Sequence, residues 1–125
     1  MREWHNDPFI AMLPATIFSS IQVLVIGDVM LDRYWLGLVQ RISPEAPIPI
    51  LNFESSNAKP GGASNVAHNI VHLGANCTLI GAVGKDSDGN LLCSDLISKK
   101  VTCKILKSRK FKTKAGCFFK TAKQL

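Results

Sequence analysis

Gly61-Gly62-Ala63-Ser64-Asn65-Val66-Ala67-His68-Asn69-Ile70-Val71-His72-Leu73-Gly74 is the stretch whose reading decides the fold. Ala63, Val66, Ala67, Ile70 and Val71 recur at helical spacing and form one apolar stripe. Asn65, His68, Asn69 and His72 share the polar face. Pro60-Gly61-Gly62 predicts where the helix opens, and Gly74 is placed as its C′ glycine. Two glycines before a helix N-terminus let a ligand approach the backbone closely. Free N–H groups there favour an oxygen-rich ligand. Many helix starts use such a pair for packing alone, so the pair by itself is not specific.

Working outward, Gln22-Val23-Leu24-Val25-Ile26-Gly27 is a continuous apolar run ended by glycine. It predicts a strand buried on both faces, as in a parallel sheet. Asp28 and Asp32 follow its C-terminal end, where open α/β sheets bind ligands. Cys77 to Gly84 reads as a second buried strand. Asp86 or Ser87 can cap a helix from about Asp88 to Lys99. Val101 to Leu106 and Gly116 to Lys120 read as a third and a fourth strand. Tyr34-Trp35-Leu36 and Ile48 to Phe53 read as short strands, which Pro44, Pro47 and Pro49 keep off a sheet centre. They suggest a small edge sheet or flap. The order strand, flap, helix, strand, helix, strand predicts an α/β fold with right-handed crossovers.

The chain has 125 residues, 46% hydrophobic and 19% charged, which suits one globular domain or a piece of one. No apolar run approaches the roughly 20 residues of a membrane span. Cys77, Cys93, Cys103 and Cys117 form no C-x-x-C pair, which excludes a zinc ribbon or thioredoxin-type site. They are expected to be reduced thiols in the cytoplasm. The net charge of +6 misleads, because ten Lys or Arg and no acidic residue lie between Lys99 and Leu125. The body is mildly acidic and the end basic. No specific nucleic-acid partner is expected from such a solvated tail. Residues 1–21 read as a poorly defined leader and not as a signal peptide.

His68-x-x-x-His72 lacks the intervening glutamate of a metalloprotease and is expected to be a polar helix face. Asp86-Ser87-Asp88-Gly89 lacks the remaining ligands of a calcium loop and reads as a capped turn. Neither G-x-G-x-x-G nor G-x-x-x-x-G-K-[ST] occurs. Asn65 offers a donor and an acceptor, which suits a sugar diol, and Asp32 can accept two hydroxyl hydrogen bonds.

Taken together these residues are specific. Gly61-Gly62-Ala63-Ser64-Asn65-Val66-Ala67, then Gly74, then Gly81-Ala82-Val83-Gly84-Lys85-Asp86-Ser87-Asp88-Gly89 resemble the ribokinase (PfkB-type) carbohydrate kinase family. The resemblance narrows with Val25-Ile26-Gly27-Asp28-Val29-Met30-Leu31-Asp32-Arg33-Tyr34-Trp35, Arg41-Ile42-Ser43-Pro44-Glu45-Ala46-Pro47-Ile48-Pro49 and Lys59-Pro60-Gly61. These are similar to the kinase domain of the bifunctional heptose-7-phosphate kinases / heptose-1-phosphate adenylyltransferases of lipopolysaccharide core synthesis. It covers about 22–103, leaving the leader and a divergent basic tail at 104–125 without an obvious match.

The resemblance implies the N-terminal half of a ribokinase-like βαβ sandwich with a small β lid at about 34–58. It implies a substrate site at Asp32, Gly61, Gly62 and Asn65, and a homodimer through the lid. It also implies ATP with Mg²⁺ as phosphoryl donor and ADP-heptose synthesis as the pathway. The family's G-A-G-D run, which supplies its anion hole and base, does not occur in these 125 residues. The chain alone is therefore expected to be inactive and to bind ATP and Mg²⁺ poorly, with no catalytic residue and no metal ligand of its own. Another ribokinase-type sugar kinase and a non-catalytic fragment stay open as alternatives.

Overall fold

A computed structural model describes residues 16–121. Residues 1–15 of the expected leader lie outside the described residues. The elements are β1 (Gln22–Ile26), β2 (Val29–Ile42), β3 (Pro49–Gly62), α1 (Ala63–His72), β4 (Asn76–Gly84), α2 (Ser87–Ser98), β5 (Thr102–Ser108) and β6 (Lys114–Thr121). They build two three-stranded sheets, ordered β1-β4-β5 and β3-β2-β6. The first is wholly parallel. The second is the lid, with β2 antiparallel to β3 and parallel to β6. The α/β reading with a small β lid agrees with this architecture.

The core lies under the parallel sheet. Leu79 and Val83 of β4 meet Ala67 of α1, Leu92 and Leu96 of α2, and Val29 and Leu31 of β2. Leu31, Leu79, Leu92 and Leu96 are almost wholly buried, and burying each contributes roughly 1.5–3 kcal/mol. Helix α1 turns Ala67 fully inward, while Val66, at the rim of the expected stripe, is 49% exposed. Gly74 ends the helix with φ 93° and donates its N–H to Val71 O at 3.0 Å. No helix among the described residues is long and apolar enough to cross a membrane.

Three expectations change. First, β1 is not buried on both faces. Leu24 and Ile26 are 58% and 69% exposed, and Leu106 of β5, on the same face, is 67% exposed. Val23, Val25 and Leu79 face the core, and no described element covers the other side. Second, the lid strands are 14 residues each, far longer than Tyr34–Leu36 and Ile48–Phe53 suggested. One ladder runs from Val29↔Gly62 to Ile42↔Pro49, with bulges absorbing its twist between Leu36 and Gly37 and between Val39 and Arg41. Third, Pro60-Gly61-Gly62 finishes β3 and does not open α1. Pro60 is tolerated there because β3 is an edge strand of the lid.

Candidate functional site

Strand alternation puts Met30, Asp32 and Tyr34 on one face of β2. The register then sets Gly61, Lys59 and Asn57 beside them on β3, and Lys114, Gly116 and Phe118 beside them on β6. Tyr34 stacks on Phe118 with centroids 5.1 Å apart, and Lys59 Nζ stands 5.6 Å from the Tyr34 centroid. On the opposite face Arg33 pairs with Asp88 of α2. Farther along that face Trp35 meets Phe53 and Phe119 edge-on, at 6.2 and 5.5 Å.

Asp32 rests against bare backbone. A Cβ on Gly61 would stand 2.5 Å from Asp32 Cγ. The next residue makes the corner into α1. Gly62 has φ 56° and ψ −133°, and a Cβ there would meet Asp28 O at 2.5 Å. Ala63 N–H donates to that same Asp28 carbonyl at 2.8 Å, so this N-terminal donor is already engaged. The buried hydroxyl of Ser64 has one proton to share between the carbonyls of Gly61 and of Met30, the latter at 3.1 Å. The corner between lid and helix is thus fixed from both sides. The Asp28 carboxylate pairs with Lys114 Nζ at 2.9 Å.

A cavity of about 530 Å³ opens beside this corner. Asp32 and Asn65 both line it, with Tyr34, Lys59, His68 and Lys99. Of the four residues assigned from the sequence, Asp32 and Asn65 therefore face one cavity, Gly61 lies against Asp32, and Gly62 forms the corner. Lys99 Nζ is paired with Asp95 Oδ2 at 2.7 Å, one turn away on α2. Burial pushes the His68 imidazole below its ordinary pKa, and Lys99 and then His72 add to this. His68 and His72 meet edge-on with centroids 4.6 Å apart. A carboxylate, amides, an ammonium and a largely neutral imidazole around a polar cavity suit the hydroxyl groups of a polyhydroxy ligand.

Tyr34 and Lys59 were missed by sequence reasoning, although each lies two residues from an assigned position and so shares its face. Gly116 had no local signal, because only the β2–β6 register brings it to Asp32.

The capped turn at Asp86 is as expected, and it does more. Asp86 Oδ1 accepts the N–H of Gly89 at 2.8 Å. Its carboxylate also takes the N–H and hydroxyl of Thr113, at 2.8 and 2.6 Å. Thr113 Oγ1 in turn accepts Gly84 N–H at 3.0 Å. This latch sets where β6 begins.

The family model described as "pfkB family carbohydrate kinase" matches residues 20–124, which takes in the basic tail. "Bifunctional protein HldE" of Vibrio cholerae serotype O1 is 52% identical over 86 residues, covering 69% of this chain and 18% of the relative. The chain thus spans less than a fifth of that curated relative. Phosphofructokinase-2 from Escherichia coli in complex with fructose-6-phosphate superposes with TM-score 0.62 at 28% identity, covering 79% of this chain and 30% of that one. Fructokinase with bound ATP from Xylella fastidiosa superposes with TM-score 0.57 at 24% identity, covering 74% and 27%. The strand–helix corner at Gly61-Gly62, the lid over it and the match along 20–124 lead to one conclusion: the chain belongs to the pfkB family of carbohydrate kinases.

Proposed function

We propose that this chain is the sugar-binding, N-terminal part of a kinase that phosphorylates D-glycero-D-manno-heptose 7-phosphate at the anomeric hydroxyl, using ATP, for ADP-heptose and lipopolysaccharide core synthesis. The observation that carries the reading is that Asp32 and Asn65 line one polar cavity, with Asp32 seated against Gly61. Similarity to proteins named HldE supports the heptose. In this reading Asp32 accepts hydrogen bonds from two adjacent sugar hydroxyls. Asn65 binds a neighbouring hydroxyl, and Gly61 and Gly62 let the sugar approach the backbone.

ATP with Mg²⁺ is the donor of the intact enzyme. No G-A-G-D run occurs in these 125 residues, and in this reading the chain by itself transfers no phosphate. That same observation favours a second reading, a non-catalytic sugar-binding fragment. The four free thiols support a cytoplasmic protein. Exposed Trp35, Phe53 and Phe119 on the lid face opposite Asp32 support a homodimer joined there.

The test is a chimera in which residues 20–124 replace the matching segment of the Vibrio cholerae relative. Transfer from ATP to heptose 7-phosphate, and not to fructose 6-phosphate, is the expected result. A folded chimera that prefers fructose 6-phosphate overturns the heptose assignment. One that phosphorylates neither sugar favours the non-catalytic fragment.

A further inference from the structure

Gly116 comes from the basic tail, yet β6 sets it directly opposite Asp32 on the cavity face of the lid. A Cβ on Gly116 would stand 2.9 Å from Asp32 Oδ1 and 2.9 Å from Cε2 of Phe118. Carbon atoms do not keep such distances, so something would have to move. The backbone is the harder part to shift. The ladder holds β6 to β2, and three residues earlier Thr113 is locked to Asp86. On the other side of Asp32, a Cβ on Gly61 would stand 2.5 Å from its carboxylate. The carboxylate therefore occupies a slot that is open because both flanking strands carry glycine.

We infer that Gly116 is a positioning residue of the sugar site, holding open the slot from which the Asp32 carboxylate meets the sugar hydroxyls. The inference rests on the assignment of Asp32 to sugar binding. A methyl group at 116 displaces the movable partners, the Asp32 carboxylate and the half-exposed Phe118 ring that stacks on Tyr34. The strands themselves stay in place. Cys117, the next residue, lies on the other face of β6 and is exposed. It is the matched control.

The experiment uses the 125-residue chain with 13Cγ-labelled aspartate. The Asp32 resonance is identified through Asp32→Asn, and heptose 7-phosphate is the titrant. In Gly116→Ala the Asp32 resonance moves while that of Asp86 stays. The apparent Kd for heptose 7-phosphate rises about tenfold or more, as expected for hydrogen bonds to a displaced carboxylate. Cys117→Ala changes neither. If Gly116→Ala lowers the melting midpoint, adding Asp32→Ala recovers part of the loss, the rest coming from the Phe118 ring. A drop undiminished in the double variant overturns the role of Gly116. So does a Gly116→Ala chain that takes up the sugar as well as the parent does, and that result leaves the sugar assignment standing. A parent chain that takes up no heptose 7-phosphate overturns the sugar assignment and this inference together.

Discussion

Thr113 gives both its backbone N–H and its hydroxyl to the carboxylate of Asp86, at 2.8 and 2.6 Å. Twenty-seven residues separate the two in sequence, and the contact joins the turn before α2 to the start of β6. Thr113 and then Gly89 hold the Asp86 carboxyl down to about 2, from an ordinary value of 3.8. Folding thus favours the ionised form. The stabilisation is fully present above the ordinary carboxylate range and is lost as pH falls from about 4 towards 2. Asp86→Asn should lower the melting midpoint at neutral pH, with the gap to the parent closing in that acid window. Parallel midpoint curves for the two proteins down to pH 2 would contradict the latch.

Leu79 is fully buried on β4, the central strand of the parallel sheet. Leu79→Ala removes packing that α1 and α2 cannot refill, at a cost of about 2–5 kcal/mol. A small domain holds only about 5–15 kcal/mol in total, so urea unfolding should shift far to lower concentration. Leu79→Met, close in volume, should cost less than about 1.5 kcal/mol. Equal midpoints for the two variants would place the core elsewhere.

Phe119 is 64% exposed and meets Trp35 edge-on at 5.5 Å. With Val39, Ile48, Pro49 and Leu51 it also lines an apolar groove of about 370 Å³. Apolar surface of this kind is driven to find a cover. Phe119→Ser should convert a lid-joined dimer to monomer in light scattering over a dilution series. A dimer that survives the change would move the interface off the lid.

The sequence was most legible where structure is local. The 3.6-residue period of Ala63, Ala67, Ile70 and Val71 located α1, and Asp86 announced its own cap three residues before Gly89. Asp32, Gly61 and Asn65 were legible as a motif. The meeting of Asp32 and Asn65 at one cavity depends on β2 and β3 pairing from Val29 to Ile42, and nothing in either strand alone declares that length. Gly116 was invisible for the same reason. A lone glycine among lysines carries no mark of the aspartate it will face 84 residues away. The exposed Leu24 and Ile26 misled in the opposite direction. A continuous apolar run reports how a strand can be buried, and not which neighbours are present to bury it.

Asp32→Asn, made in the chimera that carries residues 20–124, tests the central claim most directly. The change keeps the shape, removes the charge and turns an acceptor into a donor. The catalytic efficiency for heptose 7-phosphate should fall about 10–100-fold, the loss of charge-assisted hydrogen bonds to hydroxyls. The KM for ATP should stay nearly unchanged. Asp28→Asn is the comparison, since its carboxylate is exposed and pairs with Lys114. It should leave sugar use close to that of the parent. Sugar use that collapses in Asp28→Asn and survives in Asp32→Asn would contradict the assignment of the sugar site.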